Sequence, residues 1–246
     1  MKFIEWYPYY LKILLELKLN LRKDFLSSLL LSNLISKTTF NLNDFKIMNN
    51  KKILIIGAGP SIEEQLVQNF IKKHNDFIVI SADGSTELCL KIGVVPDFVL
   101  TDLDGDIESL ISANKLGSIL LIHAHGDNIA KILKYVPKFK NCYGTTQVFP
   151  HYNIYNFGGF TDGDRCAFFA DEFHAAEIWL VGMDFTSSIG YFSKKMKNIF
   201  SLKKKKLYIG KRLIEMLVRY SNSTFYNVTT FKFNSALYGV VDYKLK

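Results

Sequence analysis

The chain has 246 residues, 48% of them hydrophobic, and a formal net charge of +8, which is enough to bury the core of one main domain near the upper size for a single unit. Cys89, Cys142 and Cys166 are widely separated with no C-x-x-C pair, arguing against a disulfide framework or a thiolate zinc knot and for a reducing cytoplasm. Glu5, Lys12, Glu16 and Lys18 interrupt the first twenty residues, and Arg22, Lys23 and Asp24 break the most leucine-rich region, so neither a signal peptide nor a span of ~20 apolar residues is read and no membrane partner is expected.

Residues 1–48 read as a mostly helical appendage, although Leu15, Leu17, Leu19 and Leu21 alternate as in a strand. From residue 49 to 246 the chain alternates short apolar runs with helix-length segments. The runs at 51–56, 77–82, 98–103, 118–122, 178–181 and 224–228 predict buried strands. Helices are predicted at 61–73, 85–92, 107–115, 128–135, 162–174 and 210–220. Such alternation predicts an α/β domain with a doubly wound, mostly parallel, Rossmann-like sheet. Lys194, Lys195, Lys197 and Lys203 to Lys206 form a basic run without aromatic interleaving. It reads as a solvated loop, and nucleic acid is not expected as a partner.

In open α/β sheets ligands sit outside the carboxyl ends of strands. Strand one is followed here by Gly57-Ala58-Gly59-Pro60-Ser61, strand two by Asp83-Gly84, and strand three by Asp102-Leu103-Asp104-Gly105. Strand four gives His123-Ala124-His125-Gly126-Asp127-Asn128, and Asp162-Gly163-Asp164 and Asp184 come later. Turns favour Asp, Asn and Gly for backbone reasons, but their accumulation on one rim points to a ligand. Gly57 and Gly59 would let N–H groups approach a phosphate at a helix start. The third glycine and the lysine of phosphate-loop motifs are missing, and Ser61 with Glu64 equally makes a capping box. Asp102 and Asp104, one residue apart at a strand end, can point the same way and share magnesium; a turn-forming D-x-D-G is the structural alternative. His123-Ala124-His125-Gly126-Asp127 opens like the zinc site of metallo-β-lactamase-like hydrolases, but Asn128 replaces the next histidine and the alternating elements do not suit that sandwich.

Ser81-Ala82-Asp83-Gly84 and Pro96-Asp97-Phe98-Val99-Leu100-Thr101-Asp102-Leu103-Asp104-Gly105 resemble the signature of thiamine pyrophosphokinase-type enzymes. With Gly57 to Ser61, His123 to Asn128 and Gly159-Phe160-Thr161-Asp162-Gly163-Asp164-Arg165, the chain is similar to the archaeal 6-hydroxymethyl-7,8-dihydropterin pyrophosphokinases. Five motifs in order span roughly residues 50 to 185; the segment around Trp6 and the lysine-rich carboxyl-terminal stretch carry little of the likeness. The resemblance implies transfer of diphosphate from ATP to the hydroxymethyl group of a reduced pterin, release of AMP, and a place in methanopterin or folate-type biosynthesis. It makes 49–246 the catalytic domain.

On that resemblance Asp102, Asp104 and Asp127 are expected to hold magnesium, with Asp83 completing the cluster. Asp162, Asp164 and Arg165 join Asp102 and Asp104 as catalytic candidates, Arg165 facing phosphate charge and either aspartate binding metal or orienting the hydroxyl; a salt bridge at a helix start is their structural alternative. Gly57, Gly59, Pro60, Ser61, Asp83, Gly84, His125 and Asn128 are the ATP and phosphate candidates. Thr145, Thr146, Gln147, Asn156 and Phe157 are candidates for a flat pterin slot. Thiamine as acceptor and a sialyltransferase-like sugar-nucleotide enzyme are the alternatives, a basic binding module is a third, and a homodimer is admitted.

Overall fold

The computed structural model describes residues 3–35, 41–74, 76–185, 191, 200–230, 232–233 and 236–245. Helices α1 (Phe3–Leu17) and α2 (Leu21–Leu34) lead into β1 (Lys52–Ile56), α3 (Gln65–Lys73), β2 (Ile78–Ala82), α4 (Ser85–Lys91), β3 (Phe98–Thr101) and α5 (Ile107–Lys115). Then come β4 (Ile119–Ala124), α6 (Ile129–Tyr135), β5 (Cys142–Thr146), β6 (Ile154–Tyr155), α7 (Asp162–Glu172) and β7 (Glu177–Val181). The chain ends with α8 (Phe200–Tyr220), β8 (Thr224–Thr229) and β9 (Val241–Lys244).

The strands form one sheet in the order β6-β5-β4-β3-β2-β1-β7-β8-β9, and every pairing of named strands is parallel. A parallel sheet is covered on both faces, so its strands are apolar on both sides. In β1, Ile53 and Ile55 enter one core with residues of α1, α7 and α8, while Leu54 and Ile56 pack on the opposite face with α3 and α4. Helix α2 lies against β4, β5, β6 and α6, and Leu31 joins the core there. Trp6, Tyr10, Phe45 and Met48 are fully buried, so the first 48 residues contribute side chains to the main core.

Several sequence expectations change. Cys142-Tyr143-Gly144-Thr145-Thr146 carries a central glycine and no aliphatic run and reads as a loop, yet pairing with β4 makes it a buried strand. Leu15 and Leu17 lie in α1 and Leu21 opens α2, so the strand-like alternation is not realised. Lys203 to Lys206 lie on α8 rather than a loop, because lysine is a good helix former and buried Ile209, Leu213 and Leu217 anchor that helix. Lys194, Lys195 and Lys197 lie outside the described residues. Residues 60–63 form a 3-10 turn, and α3 begins at Gln65 with no side-chain cap, so the Ser61–Glu64 capping box does not form. No helix among the described residues is long and apolar enough to cross a membrane.

Candidate active site

With all strands parallel, their carboxyl ends share one rim. Asp83 follows β2, Asp102 follows β3 and Asp162 opens α7, and one carboxylate oxygen of each lies within 4.8 Å of the others. The backbone is bent to make this possible: Asp83 has φ +41° and Leu103 φ +66°, a region costly for non-glycine residues and held here by specific contacts. The Thr101 hydroxyl donates to Asp83 and accepts from the Leu103 N–H at 2.8 Å. A Cβ on Gly105 would stand 2.9 Å from Asp83 Oδ2, so only glycine lets the loop after β3 close on Asp83.

Charge in the cluster is unevenly shared. Burial, then the negative charge of Asp102, pushes the Asp83 carboxyl up to about 8. Burial and the charges of Asp102 and Asp83 likewise raise Asp162 well above the usual carboxylate range. Burial would also raise Asp102, but its hydrogen bond from His125 and the charges of His125, Arg165 and Lys206 outweigh this and hold it at about 2. His125 Nε2 lies 3.3 Å from Asp102 Oδ2, while its Nδ1 accepts from the Asp127 N–H at 3.3 Å, an arrangement that leaves Nε2 as the donor. Arg165, 8% exposed, sets Nη1 3.2 Å from Asp162 Oδ1 and Nη2 3.4 Å from Gln147 Oε1. Gly159, with φ +80°, admits this side chain, since a Cβ there would meet the Arg165 backbone at 2.7 Å. Lys131 bonds the Leu103 carbonyl at 2.9 Å and pairs with Asp104, and Lys206 reaches over the Phe160 ring. The result is a partly buried cluster of carboxylate oxygens edged by cations, at the positive end of α7.

Other expected site residues are placed elsewhere or are already engaged. Asp104 turns away to Lys131, because β3 ends at Thr101 and the left-handed Leu103 breaks the alternation that would have kept it beside Asp102. Asp127 is exposed and outside the trio. Asp164 is fully buried as a cap, accepting from the Phe160 N–H at 2.6 Å, the Thr161 N–H at 2.8 Å and the Thr161 hydroxyl. The Asn128 amide donates to the Asp102 carbonyl at 2.9 Å and the His123 carbonyl at 2.7 Å, and accepts from the His125 N–H and Ser27 hydroxyl, so it ties two loops together rather than facing a phosphate. Gly84 begins α4 beside Asp83.

The glycine loop is likewise turned to packing. The Gly57 and Gly59 N–H groups donate to the Val181 and Gly182 carbonyls at 2.7 and 2.8 Å, the Ser61 N–H donates to Asp184 Oδ2 at 2.7 Å, and Pro60 has no N–H. The crevice between β1 and β7, where strand order reverses, is therefore closed by protein groups. Thr145 bonds His123 Nδ1 at 3.1 Å, Thr146 accepts from the Val148 N–H at 3.3 Å, and Asn156 bridges the Val148 carbonyl and the Gly158 N–H. Phe157 is partly buried and packs against the core, its ring tilted 53° to that of Phe169 with centroids 5.3 Å apart. Of the flat-slot candidates, Gln147 is the one that hydrogen-bonds Arg165 among the described residues. Burial, then the charges of Arg165 and His125, holds His123 well below the usual imidazole range. Among the described residues the aspartate trio is the one metal-capable group of three or more, which sets aside the two-histidine zinc reading.

Thr101, Lys131 and Asp24 were not read from sequence as site residues. In sequence Asp24 is a carboxylate within the leucine-rich stretch and reads as a break in hydrophobicity.

The sequence profile of the family described as 6-hydroxymethylpterin diphosphokinase MptE-like matches residues 29–190. A Methanocaldococcus jannaschii protein named 6-hydroxymethyl-7,8-dihydropterin pyrophosphokinase is 40% identical over 230 residues, covering 87% of this chain and 94% of its own. A Pyrococcus furiosus protein of the same name is 39% identical over 223 residues, covering 88% and 94%. One from Methanothermobacter thermautotrophicus is 41% identical over 171 residues, covering 68% and 73%.

Proposed function

The chain belongs to the MptE-like 6-hydroxymethylpterin diphosphokinase family, and from that premise we propose that it transfers a diphosphoryl group from ATP to 6-hydroxymethyl-7,8-dihydropterin. The hydroxymethyl oxygen attacks the β-phosphorus, the bond to the oxygen shared with the α-phosphorus breaks, and AMP leaves with the bonding pair while the hydroxyl proton is lost. The product serves methanopterin or folate-type cofactor synthesis in the cytoplasm, a setting in keeping with three buried, unpaired cysteines.

The observation that carries this reading is the meeting of Asp83, Asp102 and Asp162 beside Arg165. Moving a diphosphoryl group demands positioning and neutralised charge more than covalent help. Three carboxylate oxygens within 4.8 Å suit a hard cation, and two of these carboxyls are raised by burial and by their neighbours' charge, an imbalance a divalent ion would relieve. Asp83, Asp102 and Asp162 would hold magnesium, which when bound supplies phosphate neutralisation and polarises the phosphoryl oxygens. His125 holds Asp102 in orientation. Arg165 presents its fork to developing phosphate charge, and Lys131 and Lys206 add positive charge at the rim for the triphosphate.

Incubation with ATP, magnesium and the pterin, with thiamine in parallel, tests the assignment by mass. AMP with a diphosphorylated pterin is the expected outcome. AMP with thiamine alone would change the acceptor, and AMP with neither would overturn the reading.

A further inference from the structure

Asp24 lies on α2, outside the stretch matched by the family profile, and is 3% exposed. Its Oδ2 accepts from the Tyr10 hydroxyl at 2.6 Å and from Gln147 Nε2 at 2.7 Å. Oδ1 accepts from the Gly126 N–H at 2.7 Å. A buried carboxylate is tolerated when hydrogen bonds replace its water, and these three neutral donors do so.

Two of these contacts, those with Gln147 and Gly126, lead to the acidic trio. A carboxylate offers Gln147 no hydrogen, so the Gln147 amide must turn its NH2 to Asp24 and its oxygen to Arg165 Nη2, 3.4 Å away. Arg165 is thereby held from two sides, by Gln147 and by Asp162. Through the Gly126 N–H, Asp24 also pins the loop that carries His125 against Asp102. Gly126 is required for that approach, since a Cβ there would stand 2.6 Å from Lys23 Cβ.

We propose that Asp24 is a positioning residue for the active site: it fixes the orientation of the Gln147 amide, and so the Arg165 guanidinium, while anchoring the His125 loop. The consequence for turnover rests on the role proposed above for Arg165; the geometric relay does not.

Asp24→Asn tests the relay by reversing its polarity. The asparagine NH2 would face the Tyr10 and Gln147 donors, and Gln147 would turn its own NH2 toward Arg165. kcat is expected to fall about 10- to 100-fold, with KM for ATP and pterin little changed. The Arg165 Nε–Hε resonance, assigned with Arg165→Lys and recorded without substrate, is expected to move or broaden. The swap D24N/Q147E reverses the 24–147 hydrogen bond, with the asparagine donating to the glutamate at 147, and gives Arg165 back an acceptor, so both the resonance and most of the lost turnover should return, whereas Gln147→Glu alone places two carboxylates together. Gln147→Met leaves Asp24 on Tyr10 and Gly126, and carries the test if Asp24→Asn does not fold, with the same losses expected. An unmoved Arg165 resonance in the folded single variants, or a swap no better than the worse single, overturns the relay. If the wild type forms no AMP with the pterin, the functional reading fails, while the resonance still decides the relay.

Discussion

Replacing Asp83 by asparagine should make the cation-free protein more stable, and increasingly so as pH rises. The backbone at residue 83, with φ +41°, is one asparagine tolerates, and its amide oxygen can still accept from the Thr101 hydroxyl. The wild-type carboxyl keeps its proton up to about 8 in the folded state, against an ordinary value of 3.8. Between those values unfolding releases a proton, so stability is lost with rising pH at about 1.4 kcal/mol per unit. From pH 6 to 7.5 the variant should therefore gain about 2 kcal/mol on the wild type, a widening of roughly 4–8 °C in Tm for a chain of this size. His123, held neutral when folded, opposes this trend below its ordinary pKa, but it is common to both proteins and cancels in the difference. The assay is thermal unfolding of both proteins in EDTA at the two pH values. Magnesium chloride should then raise the wild-type Tm more at pH 7.5 than at pH 6 and leave the variant nearly unmoved. A gap that stays constant or narrows with pH would refute the account of a charge-frustrated trio.

The remaining predictions separate chemistry from scaffold. Arg165→Lys loses the fork that reaches both Asp162 and Gln147, and kcat should fall about 10²–10³-fold in steady-state AMP assays while magnesium binding by calorimetry persists. Asp164→Ala leaves two backbone N–H groups and a hydroxyl unbonded at the start of α7, which should cost about 2 kcal/mol in urea unfolding; a normal melt with lost turnover would contradict its capping role. Gly59→Ala places a Cβ 2.4 Å from the Gly182 carbonyl and should cost about 1–3 kcal/mol. Its KM for ATP should stay unchanged, and a selective rise in that constant would return the glycine loop to phosphate binding.

The alternation of apolar runs with helix-length segments made the parallel sheet legible, because strands buried on both faces read as short continuous apolar runs, as Ile53 to Ile56 does. Asp83, Asp102, Asp162 and Arg165 were also legible, as polar residues where buried strands or helices begin and end. Local geometry was not. Whether Asp104 joins Asp102 depends on the left-handed turn at Leu103, which a sequence does not display for a leucine. Gly57 and Gly59 look like a phosphate loop because glycine serves close approach to any backbone, and here the backbone is that of Gly182. Asp24 and Gln147 meet across 123 positions of chain, a contact that no local pattern encodes.

The most direct test compares turnover of Asp102→Asn and Asp127→Asn with the wild type, measuring AMP and diphosphorylated pterin at saturating ATP and magnesium. If the trio is the site, Asp102→Asn loses at least about 10³-fold in kcat while Asp127→Asn stays within about threefold of wild type. Near-normal turnover in Asp102→Asn, or an Asp127→Asn enzyme as impaired as it, would contradict the assignment.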